Sequence, residues 1–156
     1  MKVLIDADAC PVVDIAVRLC ADFAMECLLF CDTAHQIHRD DAQTLVFDKG
    51  ADSVDFALVN RVEEGDIVVT QDYGLASMCL AKGARVIHQD GWEYTQYNID
   101  ALLFQRHASR EYRAAGGRVK GPSKRKESQN QDFFNAFQKL LEEERNEYGK
   151  LRFFST

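Results

Sequence analysis

Short apolar runs recurring between helix-length stretches constrain this chain more than any other feature. Val3, Leu4 and Ile5 form a continuous run, as in a strand buried on both faces. After Pro11, which suits a first helical turn, Val12, Ile15, Ala16, Leu19, Cys20 and Phe23 fall on one helical face. Cys27 to Cys31 reads as a second strand, residues 32–42 as a polar loop, and Thr44 to Phe47 as a third strand. A helix capped by Asp52 or Ser53 continues through Val54, Leu58 and Val62 to Gly65. Ile67 to Thr70 is a fourth strand, residues 73–82 a helix closed at Gly83, and Arg85 to Ile87 a last strand before the Asp90-Gly91 turn. Strands separated by helices pair in parallel, which predicts an α/β fold: a three-layer α/β/α sandwich with a mostly parallel central sheet.

The pattern changes beyond this point. Ile99, Leu102, Leu103 and Arg106 keep helical spacing within a stretch from Thr95 to about Ala115, and Gly116-Gly117 stops it. GGRVKGPSKRK must be loop, and a final helix from about Gln129 to Tyr148 carries the stripe Phe133, Phe134, Phe137, Leu140 and Leu141. That stripe is either core or a contact within a homo-oligomer. The 156 residues fit one domain, with an α/β core over about 1–90 and C-terminal helices with a basic loop over about 95–148. No apolar run approaches the roughly 20 residues of a membrane span, and the opening MKVLIDADAC becomes acidic too soon for a signal peptide. Five cysteines, an odd number without CxxC or Cys-His ligand spacing, point to a reducing cytoplasm.

Charge separates along the chain. Residues 1–104 hold 7 Lys and Arg against 18 Asp and Glu, residues 105–126 hold 8 against 1, and residues 127–156 hold 4 against 6. An acidic body is a poor passive coat for nucleic acid, but a basic segment beside it can hold a phosphodiester while the acidic part holds metal.

The acidic residues fall at telling places. Ligands of open α/β sheets sit beyond the carboxyl ends of the parallel strands. The first strand ends in Asp6-Ala7-Asp8, the fourth leads into Thr70-Gln71-Asp72, and Asp52 and Asp55 lie i, i+3 on the intervening helix. Adjacent first and fourth strands bring Asp6 and Asp72 together, and Asp8 points the same way if the chain stays extended. Two carboxylates ~4 Å apart repel by roughly 4 kcal/mol at an effective dielectric of 20, so such a cluster needs a cation. Carboxylate oxygens favour Mg²⁺ or Mn²⁺ over Zn²⁺.

The string Ile5-Asp6-Ala7-Asp8-Ala9-Cys10-Pro11 resembles the YaiI/YqxD family of bacterial proteins, as do GADSVDFALVNRVEEGDIVVTQDYGLA, the segment from Tyr94 to Asn98, and GGRVKGPSKR. That family is grouped by similarity with the PIN-like nucleases. The resemblance implies an Asp closing strand one (Asp6), an acidic helical residue (Asp55, with Asp52 as competitor) and an Asp just after a strand's Thr (Asp72). It implies a Mg²⁺- or Mn²⁺-dependent phosphodiesterase acting on RNA or another single strand, with DNA less favoured. Asp8 would bind metal or orient water. Thr70, Ser77 and amides near Tyr73 would meet the phosphate, and Lys120, Lys124, Arg125 and Lys126 the flanking backbone, with Tyr73 or Tyr94 stacking on a base.

Two rivals remain at this stage. A haloacid-dehalogenase-like phosphatase would use Asp6 as nucleophile and Asp8 as acid, but Cys10 stands where that family carries Thr or Val, and no later Asp-Asp pair follows a strand. A non-catalytic nucleic-acid or protein-binding module would keep the acidic site without cleavage. His35 and His38, near Asp40 and Asp41, read as a solvated loop in preference to a transition-metal site, and Cys10 as a small buried thiol.

Overall fold

The computed structural model describes residues 1–50, 53–121 and 123–154. The elements run β1 (Lys2–Asp6), α1 (Val13–Asp22), β2 (Glu26–Asp32), β3 (Gln43–Phe47), α2 (Ser53–Arg61), β4 (Ile67–Val69), α3 (Tyr73–Ala81), β5 (Arg85–Ile87), β6 (Glu93–Tyr94), α4 (Ile99–Ala114) and α5 (Glu127–Phe154). The six strands form one sheet in the order β3-β2-β1-β4-β5-β6, parallel except for the antiparallel β5–β6 pair.

Alternation along the strands builds two cores, because successive side chains leave opposite faces of a sheet. Val3, Ile5, Leu29, Ile67 and Val69 pack under α1 and α5, where Phe133, Phe137 and Leu141 are wholly buried. Leu4, Leu28, Phe30, Val68 and Val86 pack on the other face against α2, α3 and the start of α4 through Leu58, Leu75, Cys79 and Ile99. The result is the expected three-layer α/β/α sandwich, and Phe133 and Phe137 of the C-terminal stripe belong to its core. No helix among the described residues is long and apolar enough to cross a membrane.

β1 and β4 are tied at both ends. At their N-terminal ends the buried Asp66 carboxylate accepts from the Lys2 backbone N–H at 3.0 Å, from Lys2 Nζ at 2.7 Å and from the Glu63 N–H at 2.8 Å. At the opposite ends Thr70 bonds Asp6. The strand register, Ile5 beside Val69, therefore carries over to the side chains that follow.

Several elements differ from the sequence expectation: α2 stops at Arg61 rather than Gly65 and β4 at Val69 rather than Thr70, and three other differences have a plain local cause. β6 has only two residues, too few for any periodicity to show, and the turn at Gly91 places it against β5. α4 begins at Ile99 rather than Thr95, because Thr95 and Asn98 bond one another's backbone N–H in a turn before it. α5 runs to Phe154, beyond its apolar stripe, because Glu-, Lys- and Arg-rich sequence sustains a helix without burial.

Candidate functional site

The sheet's strand order reverses between β1 and β4, and a doubly wound sheet opens a crevice at such a point. A cavity of about 390 Å³ lies there, lined by Asp6, Asp8, Val54, Asp55, Gln71, Asp72, Tyr73 and Arg106. Four carboxylates from three stretches of chain thus face one space. Asp52 lies outside the described residues.

Each carboxylate is set by its element. Asp6 is the last residue of β1, and its Oδ2 accepts from Thr70 Oγ1 at 2.9 Å. The same hydroxyl oxygen accepts from the Asp72 backbone N–H at 3.0 Å, so one buried threonine fixes both aspartates. The Thr70 carbonyl in turn accepts from the Tyr94 hydroxyl at 3.2 Å, anchoring the loop to β6. Asp72 is the N-cap of α3, its Oδ1 accepting from the Leu75 N–H at 3.1 Å. Asp55 sits in the first turn of α2.

Asp8 does not simply extend β1. The chain turns after Ala7, with Cys10 N–H bonded to the Ala7 carbonyl and Ala9 at φ 55°. Asp8 is thereby swung toward the end of β2, where both its oxygens approach the Asp32 N–H at 3.3–3.4 Å while it still borders the cavity. Asp8, Asp32 and His35 each bring a ligand atom within 4.8 Å of the other two, and His35 Nδ1 lies 2.9 Å from Asp32 Oδ1. The loop histidine read as solvated is thus exposed but paired.

Electrostatics follow from this crowding. Burial first, and then the charges of Asp55, Asp72 and Asp8, push the Asp6 carboxyl from the usual 3.8 to about 7, against the opposing Thr70 hydrogen bond. Asp8 is raised too, chiefly by burial, while hydrogen bonding from His35 holds Asp32 low. Among the described residues the one cation lining the cavity is Arg106, whose Nη1 stands 3.4 Å from Asp72 Oδ1. Carboxylate oxygens with so little compensating charge match the donor set of a hard divalent cation.

Other expected contacts sit differently. The Thr70 hydroxyl is engaged by Asp6 and Asp72, and Ser77 lies on α3 outside the cavity lining. Lys120, Lys124 and Lys126 are exposed. Arg125 is engaged internally, donating to Asn130 Oδ1 at 2.8 Å, Asp90 Oδ1 at 2.6 Å and the Gln89 carbonyl at 2.8 Å, which binds the basic segment to the β5–β6 turn. Tyr94 is buried beneath Trp92, their rings 4.6 Å apart, leaving Tyr73 as the tyrosine of the pair at the cavity. Burial raises the Cys10 thiol to about 11, as befits a packing residue.

Sequence reasoning gave no site role to Arg106 or Asp32, and read His35 as part of a solvated loop. Asp32 carried a usable signal, since it ends a parallel strand as Asp6 does. Arg106 carried one as well, at the helical phase of Ile99, Leu102 and Leu103.

Fold and cavity together define a doubly wound α/β protein with an acidic site at its switch point. The chain belongs to the YaiI/YqxD family: the family model described as "Uncharacterized BCR, YaiI/YqxD family" matches residues 4–143. It is 52% identical over 143 residues to a UPF0178 protein of Exiguobacterium sibiricum, covering 92% of this chain and 98% of that protein. A UPF0178 protein of Natranaerobius thermophilus is 41% identical (90% and 96% covered), and one of Clostridium acetobutylicum 44% identical (90% and 97% covered).

Proposed function

We propose that the protein is a Mg²⁺- or Mn²⁺-dependent phosphodiesterase that cleaves single-stranded nucleic acid, RNA in preference to DNA, in the cytoplasm. The observation that carries this reading is the convergence of Asp6, Asp8, Asp55 and Asp72 on one cavity at the carboxyl edge of a parallel sheet. The resemblance to PIN-like nucleases supports it at the matching positions, Asp6, Asp55 and Asp72.

Asp6, Asp55 and Asp72 would hold the metal, with Asp8 at the border as a further ligand or a water-orienting group. Held by these carboxylates, a divalent ion would supply a more acidic water and positive charge to offset that on the leaving oxygen. Thr70 holds Asp6 and Asp72 in a fixed geometry, so neither must reorganise for the reaction. The Arg106 side chain, half exposed beside Asp72, is free to swing to a phosphate oxygen when the carboxylates are neutralised by the cation. The five cysteines are free thiols, four of them buried, as a reducing compartment allows.

The test is cleavage of end-labelled RNA by purified protein in Mn²⁺, beside an Asp6→Asn form. Cleavage that needs the metal and disappears in the variant is expected. Equal activity in both, or none in either, overturns the proposal.

A further inference from the structure

α4 has an unusual profile for a helix of its length. Its first turns pack on the second core through Ile99, Leu102 and Leu103, while nearly every residue from Phe104 to Ala114 is exposed. The helix therefore overhangs the body of the protein. The helical phase of its packing face continues past the core, at i+7, i+11 and i+14 from Ile99, as Arg106, Arg110 and Arg113. Positions that would carry apolar residues if the helix lay on a core throughout carry guanidinium groups instead.

The stripe begins at the acidic cavity. Arg106 lines it and touches Asp72, and three to four residues per step carry the next two arginines outward over a rise of about 10 Å. Among the described residues no carboxylate pairs with Arg110 or Arg113, although the protein as a whole is acidic. The acidic residue of this half of the helix, Glu111, is turned to the other side and pairs with His107 at 3.1 Å. At the far end Gly116 takes φ +90° and Gly117 N–H bonds the Tyr112 carbonyl at 2.9 Å, so the chain reverses and leads into Arg118 and Lys120.

We propose that Arg106, Arg110 and Arg113 form a track that seats successive phosphates of one nucleic-acid strand and delivers it to the acidic cavity. This rests on the reading of that cavity as a phosphodiesterase site and adds to it the surface by which the substrate is held. A stripe of about 10 Å covers about three steps between phosphates of a stacked strand, whose charges follow at about 3.4 Å along its axis. Guanidinium groups suit the role because each can meet phosphate oxygens with two parallel N–H donors. The contacts read the backbone and not the bases, so binding is insensitive to sequence.

The experiment measures binding apart from cleavage. Fluorescence anisotropy of a labelled single-stranded RNA of mixed sequence is followed in EDTA, with the full chain as wild type, Arg110→Glu/Arg113→Glu and Arg110→Lys/Arg113→Lys. Arg18→Glu, an exposed reversal on α1 in the opposite layer, is the control, and circular dichroism confirms the fold of each. The glutamate pair is expected to weaken binding about tenfold or more and to flatten the slope of log affinity against log salt by about 1.4, for two lost phosphate contacts. The lysine pair should retain that slope, and Arg18→Glu should bind as wild type does. Wild-type protein that fails to bind at low salt, a glutamate pair that binds as tightly as wild type, or an equal loss in Arg18→Glu overturns the inference. Retained, stripe-dependent binding without Mn²⁺ cleavage would instead sink the phosphodiesterase reading and leave the track standing.

Discussion

Asp6→Asn should make the metal-free protein more stable, although it removes a residue placed at the centre of the site. Asparagine keeps the shape and an oxygen to accept from Thr70, but not the charge. The wild-type carboxyl is raised from 3.8 to about 7 by burial and by Asp55, Asp72 and Asp8. At about 1.4 kcal/mol per pH unit, keeping it ionised costs the fold at most about 4 kcal/mol, and water at the open cavity mouth reduces this to about 2. The direction in pH follows from a raised value. Above pH 7 folded and unfolded chains are both ionised and the penalty is complete. As the pH falls through 7 the folded chain takes up its proton first, and the penalty fades toward 3.8. Urea denaturation in EDTA at about pH 8 should therefore show the variant more stable by about 2 kcal/mol, with the difference shrinking toward pH 5. Saturating Mn²⁺ should reverse the order, since a ligand at about 100 times its Kd adds about 2.7 kcal/mol to the state that binds it. A variant no more stable than wild type in EDTA, or the same Mn²⁺ gain in both, would refute the reasoning.

Thr70→Val removes the donor to Asp6 and the acceptor of the Asp72 N–H, and should cost about 1–3 kcal/mol while raising the Asp6 carboxyl further, as read by urea melts and by NMR titration of the carboxyl. Asp66→Ala leaves the Lys2 and Glu63 backbone N–H groups without their acceptor and the partly buried Lys2 ammonium with only the exposed Glu63 carboxylate at 3.8 Å, at the other end of the same strand pair, and should cost about 2–3 kcal/mol in the same melts. Gly91→Ala should destabilise by more than about 1 kcal/mol, since Gly91 has φ +90° and a Cβ would come within 2.6 Å of the Asp132 carbonyl oxygen on α5. Thermal unfolding followed by circular dichroism would show it.

The parts of the fold legible in the sequence were those with a period. Val3-Leu4-Ile5 and Ile67-Val68-Val69 have the unbroken apolar character of strands covered on both faces, and their pairing follows once helices intervene. With that pairing, the meeting of Asp6 and Asp72 needed only the rule that ligands gather beyond the carboxyl edge. The helical spacing of Val54 and Leu58 likewise turned Asp55 toward the same space. What escaped had no period to show. The two-residue β6 is defined by partners alone, and the turn of Asp8 toward Asp32 depends on a left-handed Ala9 that nothing in an Asp-Ala-Asp-Ala string announces. Arg125 sits in a basic run whose charge suggests solvent, yet its guanidinium is consumed by Asp90, Gln89 and Asn130 from other parts of the chain. Such long-range polar pairing is set by tertiary packing, and composition conveys none of it.

The central claim concerns where a divalent ion is held, and anomalous diffraction from crystals grown in Mn²⁺ addresses it directly. The account predicts a manganese peak bounded by the carboxylates of Asp6, Asp55 and Asp72. A peak confined to Asp8, Asp32 and His35, or no ordered manganese in the cavity at a concentration that supports cleavage, would contradict it.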